Sequence, residues 1–216
     1  MGVQSATARY TPGEELANSL THAVGLLLAI AGLCGLMFAA GGVRETATCL
    51  VYGVTLILVY ATSTLYHGAR QPQAKQLLRT LDHVAIFLLI AGTYTPFMLI
   101  ALRGAWGWSL FAVVWSLAAI GAVFELSPLR RMRGVMIALY IGMGWVGLIA
   151  IKPLVAALPA PGVWLLFGGG VSYTLGVAFY VWRGLRYHHA IWHLFVLVGS
   201  VLQYLAVLLY LLPGHA

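Results

Sequence analysis

Charge is what this chain of 216 residues has least of: Asp, Glu, Lys and Arg make up 8% of it, against 62% hydrophobic residues and a mean hydropathy of +0.93. A soluble domain carries roughly 25% charged residues, so a water-soluble globular fold is excluded. Cysteine is nearly missing too. Cys34 and Cys49 are the only two, both fall inside apolar runs, and they read as small buried residues rather than a disulfide or a thiolate metal site. Alternating polar and apolar segments are absent, which excludes a membrane β-barrel, whose strands need that pattern. Acidic residues number five against twelve Lys and Arg, for a net charge of +7. That excess does not make a nucleic-acid surface, because the basic residues punctuate the gaps between apolar runs instead of clustering on one element.

Long apolar runs fill the rest. A spanning helix takes roughly 20 residues, and the runs predict seven of them, near 17–40, 46–68, 80–102, 107–126, 134–152, 162–182 and 190–212. The expected fold is an all-α integral membrane protein, a seven-transmembrane helix bundle. A short segment, 1–15, precedes the membrane domain of residues 16–212, and a tail of 213–216 follows it. The first run follows Glu14 and Glu15 rather than a basic stretch and has no small-residue cleavage site, so it reads as a retained helix and not a signal peptide.

Loop charges orient the bundle. Arg9, Arg70, Lys75, Arg79, Arg130, Arg131, Arg133, Arg183 and Arg186 fall on the side of the N-terminus, and only Arg44, Arg103 and Lys152 on the other. Nine against three predicts a cytoplasmic N-terminus and an outside C-terminus in a multi-pass protein of the cell inner (plasma) membrane. Tryptophans and tyrosines near the span ends, Trp106, Trp108, Trp164, Trp182 and Tyr187, read as interfacial anchors. The GGG at 168–170 reads as close helix packing, and Pro96 as a kink in the third span.

Ionisable groups inside such a chain are costly and mark function by default. With this topology His67, Asp82, His189 and His193 all reach the cytoplasmic layer, and Glu15, Asn18 and His22 stand at the same level. His189 and His193 are four residues apart, hence on one helix face, suited to two ligands of one ion. HxxxH alone is a weak signal and fits a chance pair at a helix end equally well. His67 from a second span strengthens it, and three imidazoles with an open fourth position make a catalytic-type zinc site. Asp82 then holds the nucleophilic water as general base, ligates the metal directly, or orients a histidine. Ser63, one turn before His67, supports a substrate carbonyl or bonds its own helix. Glu15, Asn18 and His22 are expected behind the ligands, His83 and His188 at the interface or likewise behind the ligands, and Glu125 in an ion pair with the nearby Arg130.

These residues resemble the progestin and adipoQ receptor family, in its bacterial hemolysin III-like branch. Glu15, Asn18 and His22 form ExxNxxxH in EELANSLTH. Ser63 and His67 form SxxxH, followed by Asp82, and His189 and His193 form HxxxH in YHHAIWHLFVLVGS. The stretch LDHVAIFLLIAGTYTP is typical of the branch, and the resemblance covers about residues 14–212. It implies seven helices with a cytoplasmic N-terminus, zinc on His67, His189 and His193, and Asp82 on the water at the zinc. It also implies a ceramidase-like lipid amide or ester hydrolase, or a lipid-sensing relative in membrane lipid homeostasis, with membrane lipids as partners and no known protein partner. Two rivals stand beside it: a haemolytic pore former, and a non-catalytic membrane-fluidity factor with a structural zinc.

Overall fold

The computed structural model describes residues 10–212. Residues 1–9 of the short N-terminal segment, Arg9 among them, and the tail 213–216 lie outside the described residues. The chain runs α1 (Pro12–Ala39), α2 (Val43–Gly68), α3 (Pro72–Pro96), α4 (Gly104–Leu126), α5 (Arg133–Trp145), α6 (Ile151–Ala157), α7 (Ala160–Val181) and α8 (His188–Tyr210), with no strand among the described residues. A π-helical turn, Phe97–Leu102, extends α3, and a 3-10 turn, Val146–Ala150, joins α5 to α6. Among the described residues seven helical spans are long and apolar enough to cross a membrane, α3 with its π turn and α5 with α6 each counting as one.

Local chemistry sets the ends. Thr11 accepts from the Glu14 backbone N–H, and the Glu14 side chain accepts from the Thr11 backbone, a capping box with Pro12 in the first turn. Helix α3 begins at Pro72, ahead of the apolar run that marks its span from residue 80. Lys75 holds this polar first turn in place by donating to the Tyr66 carbonyl in the last turn of α2, at 3.3 Å, and to the Ala69 carbonyl just beyond it, at 3.4 Å. Pro96 lacks the N–H that would continue the ladder, and the helix widens into the π turn directly after it. Arg103 (φ 48°) and Gly104 (φ 53°) then reverse the chain into α4.

Helices α1, α2 and α3 pack side by side, α7 packs tightly on α8, and α1 against α8 joins these two groups. Glycine makes the α7–α8 approach possible: a Cβ on Gly169 would lie 3.0 Å from the Gly199 carbonyl oxygen, and one on Gly176 2.7 Å from Phe195 Cβ. Helix α5 is held more sparsely, by α3, α4 and α7, and Gly142 and Gly144 on it face open space. The outer surface is a belt of bare apolar side chains, with Leu27 69%, Ile149 68% and Phe38 94% exposed. Water would not tolerate that belt, whereas lipid is its natural solvent. Cys49 is buried as its run suggests, but Cys34 is exposed on the outer surface, because it falls on the outward side of α1. Alternating helix directions with short connections bring the starts of α1, α3, α5 and α8 and the ends of α2, α4 and α7 to one end of the bundle.

Candidate metal centre

Three of the expected groups meet at that end. One nitrogen from each of His67, His189 and His193 lies within 4.8 Å of the other two, and all three residues are buried. His67 comes from the last turn of α2, and His189 and His193 come from the first turns of α8, stacked by their i,i+4 spacing.

Helix α1 aims two of the rings. His67 Nδ1 donates to Glu15 Oε2 at 2.6 Å, and Lys75 Nζ holds the other oxygen, Oε1, at 2.9 Å. Tautomer and orientation are thereby set, and Nε2 is left buried with no hydrogen-bond partner among the described residues. His193 Nδ1 donates to the Asn18 backbone carbonyl at 3.1 Å, beside the Thr21 hydroxyl at 3.1 Å, which leaves its Nε2 for the cluster. A histidine whose far nitrogen is anchored to a carboxylate or carbonyl is the arrangement metal-binding imidazoles adopt. The orphaned Nε2 of His67 and an all-imidazole donor set fit zinc.

Asn18 stands beside two of the rings: its main-chain carbonyl accepts from His193, and its amide Nδ2 lies 3.4 Å from His67 Nδ1. His22 does something different from a supporting hydrogen bond. Its ring stacks on His193, centroids 3.5 Å apart at 14°, meets Tyr60 edge-on at 5.1 Å, and has no hydrogen bond at either nitrogen among the described residues.

Asp82 and Ser63 come together from α3 and α2, both buried and side by side, and no described residue makes a well-formed hydrogen bond to the Ser63 hydroxyl. They line one cavity with His22, His189 and His193. The cavity holds about 180 Å³ and continues between α3, α5, α7 and α8 over Leu89, Phe97, Leu154, Leu166 and Val196, while His67 stands behind it. Along α3 it extends from Asp82 to Phe97, roughly 22 Å at 1.5 Å per residue.

The partner of Glu125 differs from expectation. Helix α4 ends just beyond Glu125, at Leu126, and the 3-10 turn Pro128–Arg131 carries Arg130 onward. Glu125 instead pairs with His83 Nδ1 at 2.9 Å, and the Tyr140 hydroxyl donates to the His83 carbonyl at 3.0 Å, tying α3, α4 and α5 together beside Asp82. His188 bonds the Phe179 carbonyl at 3.0 Å. Tyr10 is the residue the sequence did not flag. It is 5% exposed and stacks on His189 at 5.1 Å, with His67 at 5.8 Å and His188 at 5.9 Å. The capping box and the bond from the Tyr187 N–H to Glu14 Oε1, 3.1 Å, hold the start of α1 over the histidines.

A model of the haemolysin-III related family matches residues 10–204 of the chain. The chain is 46% identical to Hemolysin-3 of Bacillus cereus over 203 residues, 93% of each protein. It is 44% identical to the Hemolysin-3 homolog of Bacillus subtilis over 204 residues, 93% of this chain and 96% of that one. At 29% over 216 residues it is also similar to the human monocyte to macrophage differentiation factor, covering 95% of this chain and 89% of that one.

Proposed function

The chain belongs to the haemolysin-III related family, and from that membership and its three-histidine cluster we propose that it is a zinc-dependent hydrolase of a membrane lipid amide or ester, with its centre at the cytoplasmic end of the bundle. The observation that carries the reading is the continuity of Asp82, His189 and His193 with a long apolar cavity between α3, α5, α7 and α8. Such a cavity suits one acyl chain, with the bond to be cut at the polar end. The excess of loop Lys and Arg at that end supports its cytoplasmic placement.

Zinc bound there supplies a Lewis acid that polarises a carbonyl and makes water a stronger acid. His67, His189 and His193 are the residues that hold it, with Glu15 and the Asn18 carbonyl fixing two of the rings. The Asp82 carboxylate takes the proton of the attacking water and returns it to the departing amine or alcohol. The Ser63 hydroxyl donates to the scissile carbonyl oxygen. Apolar walls hold the chain and keep bulk water from the reacting atoms.

Asp82→Asn is expected to keep zinc and lose about 10²–10⁴-fold in turnover of a long-chain N-acyl amine. Full turnover in a zinc-loaded variant would remove Asp82 from the chemistry. A pore is disfavoured because an aqueous path needs a polar stripe through the membrane, and the cavity below the histidines is mostly apolar. Dye release from liposomes that survives metal removal would restore that alternative.

A further inference from the structure

Below the histidines the cavity wall carries a few polar side chains, and nearly all of them are used up by the protein itself. The Thr93 hydroxyl donates to the Leu89 carbonyl at 2.8 Å. That of Thr174 donates to the Gly170 carbonyl at 2.8 Å and accepts from Trp145 Nε1 at 3.1 Å. The Tyr94 hydroxyl donates to the Gly144 carbonyl at 2.6 Å and accepts from the Gly147 N–H at 2.9 Å. Tyr173 pairs with Ser200 at 2.8 Å.

Gln203 is the exception. It lines the cavity, is 9% exposed, and its amide has no hydrogen bond among the described residues. Its stem is fixed, because it lies across α7 where a Cβ on Gly169 would come 2.5 Å from Gln203 Cγ. A primary amide offers two donors and an acceptor. Leaving all of them unmet at membrane depth is costly, and polar groups placed there mark a ligand path by default.

Gln203 stands ten residues beyond His193 on α8, about 15 Å along the helix. A chain whose carbonyl is at the histidines therefore passes it partway along its length. We infer that Gln203 is a specificity-determining residue that hydrogen-bonds a hydroxyl carried in the middle of the acyl chain. A hydroxyl matches the amide in both directions, its O–H donating to Oε1 and its oxygen accepting from Nε2. A plain chain leaves the amide unpaired and forgoes that hydrogen bond. The inference rests on the reading of the cavity as an acyl-chain site.

The test is displacement of a fluorescent fatty acid from the purified full-length protein by 12-hydroxyoctadecanoate and by octadecanoate. Wild type is expected to bind the hydroxy acid about 3- to 10-fold tighter, the worth of an ordinary hydrogen bond. Gln203→Met, close in length but apolar, is expected to abolish the difference, with Gln203→Leu in its place should Q203M not hold its fold. Equal binding of both acids by wild type, or a preference that survives in the apolar variant, overturns the role of Gln203 and leaves the acyl-chain reading standing. A wild type that binds neither acid sinks both.

Discussion

At the scale of single residues, the centre is an argument about which nitrogen points where. His67 and His193 each give Nδ1 to a partner on α1, so their Nε2 atoms are committed to the cluster before any ion arrives. Glu15 is the more demanding support, since it also carries Lys75. Glu15→Gln, keeping the shape and removing the charge, is expected to lower zinc affinity by about 10–100-fold, read by competition with a chelator of known affinity. An unchanged affinity would mean that the carboxylate does not set the ring. The meeting of His67, His189 and His193 was legible in the sequence because an ionisable group inside an apolar run stands out, and because i,i+4 spacing has one geometric meaning on a helix. Tyr10 was not, since a tyrosine ahead of a first span looks like any interfacial tyrosine. The Asn18 carbonyl could not have been read at all, because a backbone acceptor carries no side-chain signature. Glu125 misled for a related reason: closeness to Arg130 in sequence does not survive the end of α4.

Elements follow from where the chain can approach itself. Seven spans were readable from apolar length alone, and short loops force neighbours to alternate in direction. What hydropathy does not carry is how tightly each pair packs. The α7–α8 pair closes on Gly169 and Gly199, whereas α5 presents Gly142 to open space. Two substitutions that look alike in sequence should therefore differ. Gly169→Ala forces a methyl group against the Gln203 stem and the Gly199 carbonyl, and is expected to cost about 1–3 kcal/mol as overpacking. Gly142→Ala meets nothing and should be neutral or stabilising by up to about 1 kcal/mol. Thermal midpoints of both variants in one detergent check this, and a Gly169→Ala protein as stable as wild type would contradict the close approach. The breaks in the third and fifth spans show the same limit. Pro96 signalled the irregularity that the chain takes as a π-helical turn, but the 3-10 turn between α5 and α6 has no proline at its start to signal it.

For the whole molecule, the account is that an apolar bundle keeps one polar layer and joins it to one cavity. Helices from both ends of the sequence are needed: α1 orients the rings, α2 and α8 supply them, and α3 brings Asp82. The cavity was not foreseeable from hydropathy, because its walls are ordinary span residues that only packing reveals as cavity-lining. Whether the three histidines hold a metal is read from metal content per chain in detergent-purified protein, wild type beside His193→Ala and Asp82→Ala. About one zinc per chain is expected in wild type, with loss of it in His193→Ala and retention in Asp82→Ala, since one removes a ligand of a three-ligand site and the other a neighbour. A folded wild type that stays metal-free after zinc is supplied would mean that the three histidines are not a metal centre.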